Sequence, residues 1–246
     1  MKRYGLIGYP LSHSFSQRYF TEKFDREGIR DCSYSNFPLS SIDELRAVLA
    51  DTELCGLNVT IPYKQQVMSF LDVLSPVVAA IGACNCIKIA DGVRTGFNTD
   101  VVGFRQSLAK HLLPHHRQAL ILGTGGAAKA VEWVLAELGI SYRSVTRRPR
   151  PGTDDLGYGD VDAALLETYT LIINTTPLGM HPNTEECPPL PYAAIGPRHY
   201  LFDLIYNPGR TLFLQKGEAV GATVENGHEM LVLQAEESWR IWQEPA

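Results

Sequence analysis

The chain has 246 residues, 45% of them apolar and 20% charged, with a formal net charge of −5. Such a composition belongs to a folded protein with a sizeable core, in one large domain or two modest ones. The acidic balance argues against a nucleic-acid partner, which calls for a basic face, and no apolar run reaches the roughly 18 residues of a membrane-spanning helix.

The opening MKRYGLIGYP reads as a strand and not a signal peptide, because Gly and Pro interrupt its short apolar stretch. Next, SFSQRYFTEKFDREG carries Phe15, Tyr19, Phe20 and Phe24 at helical spacing, with Gly28 as a stop. CSYSNFPL is a second strand, SSIDELRAVLAD a capped helix and LCGLNVTI a third strand. Thr60 then reads as a cap, with Pro62 fitting the first turn of a helix. That would put Lys64 in the first turn, where the helix dipole disfavours a cation. NCIKI and VRTGFN flank Asp91-Gly92, a hairpin signal. The first region, about residues 1–100, is therefore mixed α/β.

A helix follows in TDVVGFRQSLAKHL. The histidines of KHLLPHH (His111, His115 and His116) surround Pro114 and read as a solvated loop, not a metal site. RQALILGTGGAAKAVEWVLAELG is an apolar strand, a glycine turn and an amphipathic helix; YRSVTRR, LIINTTPLG and YLFDLIY add three strands, and GHEMLVLQAEESWRIW closes with an amphipathic helix. Alternating strands and helices predict a parallel sheet. Five cysteines without a secretion signal predict reduced thiols and a cytoplasmic home. Cys84 and Cys86 are expected to point to one face of a strand as packing residues.

Gly123, Gly125 and Ala128 match G-x-G-x-x-G/A between a strand and a helix, the context that the dinucleotide fingerprint requires. The alternative is a tight turn with no ligand. At the end of the next strand, a site for NAD needs an acid for the ribose hydroxyl. This chain has Thr146, Arg147, Arg148, Pro149 and Arg150, which suit a 2′-phosphate and favour NADP unless they form only a solvated basic turn. The polar residues Ser14, Ser16, Asn58, Thr60, Lys64, Asn85, Asn98, Thr99 and Asp100 fall in loops next to strands of the first region. Ligands bind at the carboxyl ends of strands in α/β sheets, and this set suits a small molecule with several hydroxyls and an acid group. Singly, each has a plainer reading as a cap or a solvated residue.

GYPLSHSFS, GLNVTIPYK, GACNC, GFNTD, LGTGGAAKA, VTRR, INTTPLGM, FDLIYNPGRT and NGHEMLVLQA occur in an order that resembles the shikimate dehydrogenases, over about residues 4 to 242. The resemblance implies an N-terminal α/β substrate domain (1–100 with 228–246), a Rossmann-like NADP-binding domain (101–227) and a C-terminal helix returning to the first. It also implies NADPH-dependent reduction of 3-dehydroshikimate to shikimate, by a monomer or homodimer acting on small molecules without a metal. Lys64 and Asp100 would form the catalytic pair. Ser14, Ser16, Thr60, Asn85, Tyr206 and Gln234 would hold substrate. Gly123, Thr124, Gly125, Gly126 and Ala127 would hold the pyrophosphate, with Thr146, Arg147 and Arg148 on the adenine side and Thr175, Met180 and Gly227 completing the cofactor site. The chain departs from the family at Gln17, where proline is usual, and in reading Thr-Arg-Arg for Asn-Arg-Thr. Two alternatives are a quinate or dual quinate/shikimate dehydrogenase using NAD or NADP, and a metabolite-binding regulator that has lost catalysis.

Overall fold

The structure is a computed structural model and describes residues 1–11 and 14–245. Ser12 and His13 of the GYPLSHSFS loop lie outside the described residues. The chain divides into two compact units, one of Met1–Thr99 with Ala235–Ala246, the other of Asp100–Gln234.

The first unit is built on β1 (Lys2–Gly8), α1 (Phe15–Glu27), β2 (Cys32–Pro38), α2 (Leu45–Leu49), β3 (Leu54–Val59), β4 (Val73–Leu74), α3 (Pro76–Ile81), β5 (Cys86–Ala90) and β6 (Val93–Phe97). Its sheet has the order β2-β1-β3-β5-β6-β4. β1 runs parallel to β2 and β3, β5 is antiparallel to both β3 and β6, and β4 is parallel to β6. The β5–β6 hairpin turns at Asp91 and Gly92, both at positive φ, as Asp-Gly predicts.

Alternation along the strands supplies two apolar faces. Ile7, Leu57, Val59 and Ile87 pack with Leu45 of α2 and Val78 of α3. Tyr4, Leu6 and Tyr34 pack on the other face with Phe20 and Phe24 of α1 and with Ala235, Ile241 and Trp242. Cys84 joins the first cluster and Cys86 the second, both fully buried. The expectation of one shared face is thus overturned: Cys84 precedes β5, so strand alternation does not govern it.

The expected helix around Lys64 is also absent. Residues 61–65 form turns, and a 3₁₀ helix, Gln66–Phe70, starts beyond them. The cause is tertiary. Tyr63 is buried and its hydroxyl donates to the Leu39 carbonyl at 2.6 Å. The Lys64 carbonyl accepts the Cys84 N–H at 2.7 Å instead of a helical partner.

The second unit carries α4 (Asp100–Ala109), β7 (Gln118–Leu122), α5 (Gly126–Glu137), β8 (Ser141–Val145), α6 (Ala163–Thr168), β9 (Leu171–Asn174), β10 (Tyr200–Asp203), α7 (Leu212–Ala219) and β11 (Thr223–Glu225). α8 (His228–Gln243) begins in this unit and ends in the first. The boundary between the two units falls inside α8. Lys110 pairs with Glu229, and Gly103 lies so close to the Met230 carbonyl that a Cβ would sit 2.5 Å away, which ties the start of α8 to α4. The sheet has the order β11-β10-β9-β7-β8 and is parallel throughout. Leu120, Leu122, Val145, Ile172, Leu201 and Phe213 are buried in its core. Strands buried on both faces read as continuous apolar runs, as ALIL and LII do.

His116 departs from the solvated loop that was expected. It is buried, its Nδ1 accepts the Leu113 N–H at 3.0 Å, and its Nε2 lies 3.2 Å from the Arg198 carbonyl.

Candidate active site

In the first unit, β1, β3 and β6 share one direction and β5 opposes them. The ends of β1, β3 and β6 and the start of β5 therefore meet one edge of the sheet. Ser14 and Ser16 follow β1, Thr60 and Lys64 follow β3, Asn85 precedes β5, and Asn98 and Thr99 follow β6. Backbone bonds lash these loops together: the Thr60 N–H donates to the Ile7 carbonyl at 2.9 Å and the Tyr9 N–H to the Ile61 carbonyl at 3.1 Å. Lys64 is half-buried on its turn. Asp100 is half-buried as the first residue of α4, where the helix dipole favours a carboxylate.

A buried hydrogen-bond chain underlies this edge. The Ser16 hydroxyl contacts that of Tyr34, which donates to Asn58 Oδ1 at 2.8 Å. Asn58 Nδ2 donates to Ser238 Oγ at 2.8 Å, and Ser238 Oγ lies 3.2 Å from Thr99 Oγ1. Thr99 in turn grips Asn85: its N–H donates to Asn85 Oδ1 at 2.6 Å, and its hydroxyl accepts from Asn85 Nδ2 at 3.0 Å. Tyr34 and Ser238 were not singled out from the sequence. The available signal was that Ser238 lies four residues after Gln234, on the same helix face. Gln234 is buried, and its amide donates to the Leu231 carbonyl at 2.9 Å. The Ser14 hydroxyl is different: it is buried and makes no hydrogen bond to any described residue. A buried hydroxyl left in that state is costly unless a ligand completes it.

In the second unit all the strands point one way, so the loops after β7, β8, β9 and β10 share one edge. Strand order reverses at β7, with β8 on one side and β9 on the other, which makes the β7/β9 boundary the switch point where ligands bind in open α/β sheets. The glycine turn sits there. Gly123 takes φ +104, and its N–H donates to the Val145 carbonyl at 2.8 Å. The Thr175 hydroxyl donates to the Leu122 carbonyl at 2.7 Å, so it closes the turn from below. Thr124, Gly125 and Gly126 are exposed and Ala127 half-buried at the start of α5, which no side chain caps. A Cβ on Gly125 or Gly126 would meet nothing within 4 Å. Open space over an uncapped helix start is the cradle that a pyrophosphate needs.

After β8, Thr146 is half-buried and Arg147 and Arg148 are exposed. Arg150 is committed elsewhere, its guanidinium gripping both carboxylate oxygens of Asp155 at 2.6 and 2.8 Å. Two arginines of this turn, not three, face solvent without such a grip from any described residue. Met180 and Tyr206 are exposed on the loops after β9 and β10. Gly227 is buried against the Leu204 carbonyl, leaving no room for a Cβ, and its N–H donates to the Ile205 carbonyl at 3.0 Å.

Sequence reasoning missed Asp203, at the end of β10. It is wholly buried. Its Oδ1 accepts from Asn174 Nδ2 at 3.0 Å and from the Ile205 N–H at 3.1 Å, and its Oδ2 accepts from the Thr211 hydroxyl at 2.6 Å. Burial is the main cause that raises its pKa from 3.8 to about 6, against these donors. An aspartate ending an apolar strand in YLFD was the signal for it.

Known proteins resemble this chain over nearly its whole length. The family model for the shikimate dehydrogenase substrate binding domain matches residues 6–87. A shikimate dehydrogenase (NADP(+)) of Oleidesulfovibrio alaskensis is 39% identical, covering 97% of this chain and 88% of its own. A crystal structure of a shikimate dehydrogenase in complex with NADP+ aligns with a TM-score of 0.86 at 32% identity, covering 99% of this chain and 90% of the other. The shikimate 5-dehydrogenase of Thermus thermophilus, solved with NADP(H) and shikimate, aligns with a TM-score of 0.84 at 29% identity, covering 99% and 94%.

Proposed function

The chain belongs to the shikimate dehydrogenase family, and on that premise we propose that it catalyses the NADP-dependent, reversible reduction of 3-dehydroshikimate to shikimate. The observation that carries this reading is the polar edge of the first sheet, where the Ser14 hydroxyl, without a partner among the described residues, stands with Ser16, Thr60, Asn85 and Lys64. Such a set of hydroxyls, an amide and a cation suits a small polyhydroxylated acid.

Bound NADPH supplies the hydride. The chain must orient the ketone and deliver the proton. Ser14 and Ser16 hold the substrate carboxylate, and Thr60, Asn85, Tyr206 and Gln234 its remaining polar groups. Lys64, with Asp100, handles the proton of the C3 oxygen. The backbone at Gly123 to Ala127 receives the pyrophosphate, and Arg147 and Arg148, beside Thr146, receive the 2′-phosphate. Thr175, Met180 and Gly227 shape the nicotinamide side through their loops. Residues 1–100 with 228–246 act as the substrate domain and 101–227 as the cofactor domain. Among the described residues, no helix is long and apolar enough to cross a membrane. Five cysteines suit a reducing compartment, and the enzyme is read as cytoplasmic, a monomer or homodimer.

The test is the appearance of reduced-nicotinamide absorbance with shikimate or quinate as substrate and NADP⁺ or NAD⁺ as cofactor. Shikimate with NADP⁺ is expected to give the highest kcat/KM. Tight shikimate binding without turnover would instead make the protein a metabolite sensor.

A further inference from the structure

We propose that Asp203 is a positioning residue whose buried carboxylate sets the loops after β9 and β10 in register with the glycine turn. The proposal rests on the functional reading above and adds a residue to it.

One carboxylate receives three donors from three separate stretches: Asn174 at the end of β9, Ile205 in the loop after β10, and Thr211 at the start of α7. Each of these partners controls a further piece of backbone. Asn174 Oδ1 accepts from the Thr176 N–H at 3.0 Å and the Thr176 hydroxyl at 2.6 Å, which bends the chain directly beneath Thr175. The Thr175 hydroxyl and N–H both reach the Leu122 carbonyl, so that bend abuts Gly123. Thr211 caps α7 by accepting from the Leu214 N–H at 3.4 Å, which ends the loop carrying Tyr206. The two loops are joined directly where the His181 N–H donates to the Asn207 carbonyl at 3.3 Å. Gly227 closes the same group, through its N–H to Ile205. Asp203 is therefore the hub from which Thr175, Met180, Tyr206 and Gly227 take their places, though its own buried side chain is in no position to meet a ligand. Two oxygens with spare lone pairs can accept all three bonds at once, which a hydroxyl could not.

The test compares Asp203→Ala, Asp203→Asn and Thr211→Val in the full chain. Asparagine keeps the shape and the Oδ1 acceptor, and its amide can donate to Thr211, so the hub survives without charge. Asp203→Ala, at a temperature where its melt shows it folded, should raise the KM for NADP⁺ about tenfold or more, with a smaller change in kcat, because misplaced loops forfeit orientation. Amide exchange at Thr176 and Ile205 should accelerate with it, and Asp203→Asn should restore both. A stability role alone would lower the melting temperature and leave KM and exchange in the cold unchanged; that result overturns the proposal, as does an Asp203→Asn variant as impaired as the alanine. If Asp203→Ala does not fold, Thr211→Val cuts a single arm, and unchanged KM and Ile205 exchange would overturn the proposal equally. Should the wild type turn over no shikimate, the functional reading fails, and NADP⁺ binding by calorimetry with the exchange rates still decides the role of Asp203.

Discussion

The backbone carbonyl of Lys64 accepts the Cys84 N–H at 2.7 Å. This bond fixes the lysine beside the start of β5, next to Asn85, by its main chain and not through a helix. Replacing the side chain should therefore leave the tether intact. Lys64→Ala is expected to lower kcat by about 10²- to 10⁴-fold, the usual contribution of a general acid or base, with little change in melting temperature. Steady-state kinetics with a thermal melt check both. Near-normal turnover in the folded variant would remove Lys64 from the proton-transfer role.

The arginines after β8 divide by partner. Arg150 is held by Asp155, whereas Arg147 and Arg148 are exposed on the same turn. Arg147→Ala and Arg148→Ala should each raise the KM for NADP⁺ about tenfold or more, the value of a hydrogen bond to a charged group, while the KM for NAD⁺ stays near its starting value. Arg150→Ala should change neither by as much and should instead lower the melting temperature. Equal effects of all three on NADP⁺ would mean that the Asp155 pair opens to serve the cofactor.

How much of this was legible before the structure follows from what each signal depends on. Long periodic segments such as α1 and α8, the Asp-Gly hairpin and the strand–glycine–helix passage at Gly123 were readable because their determinants are local. The loop at Pro62 misled because its partners, Leu39 and Cys84, lie some twenty residues away and outweigh a cap-and-proline pattern. Short elements such as β4, α3 and α6 offer too few residues for periodicity, and the Ser75 hydroxyl that caps α3, accepting the Val78 N–H at 3.3 Å, was not singled out. The catalytic candidates were legible as residue types. Their supports, Tyr34, Asp203 and Ser238, were not, since their function consists of contacts between distant strands and helices.

Stability should respond to Asp203 in a defined pH window. Its pKa is raised from 3.8 to about 6, chiefly by burial. Between those values the unfolded chain has released this proton and the folded chain retains it. Folding therefore binds protons there, and stability falls as pH rises from about 4 to about 6, by up to about 3 kcal/mol from this group. Asp155 and Asp72 behave oppositely: Arg150 and Arg94 hold them at about 2, so their contribution is present above 3.8 and lost only as pH falls toward 2. Asp203→Asn removes the first effect alone. Urea unfolding at several pH values should show a flatter profile between pH 4 and 6 in the variant; an unchanged slope would mean that Asp203 is ionised in the fold throughout.

Ser238 offers a test of the network beneath the substrate edge. Its hydroxyl joins Asn58 to Thr99, accepting from Asn58 Nδ2 at 2.8 Å and lying 3.2 Å from Thr99 Oγ1. All three residues are buried, so no water can readily replace it. In Ser238→Ala, Asn58 Nδ2 keeps its long 3.4 Å approach to the Asn85 carbonyl and loses the shorter bond. Leaving a buried donor unsatisfied should cost about 1–3 kcal/mol. Because Thr99 holds both ends of the Asn85 amide, the loss should also reach substrate binding, raising the KM for shikimate more than that for NADP⁺. A Ser238→Ala/Thr99→Val double-mutant cycle measures the link directly, with a coupling of about 0.5 kcal/mol or more expected for residues in one network. Strictly additive losses would show that Ser238 and Thr99 act on stability separately, and that Asn85 is held by its own loop.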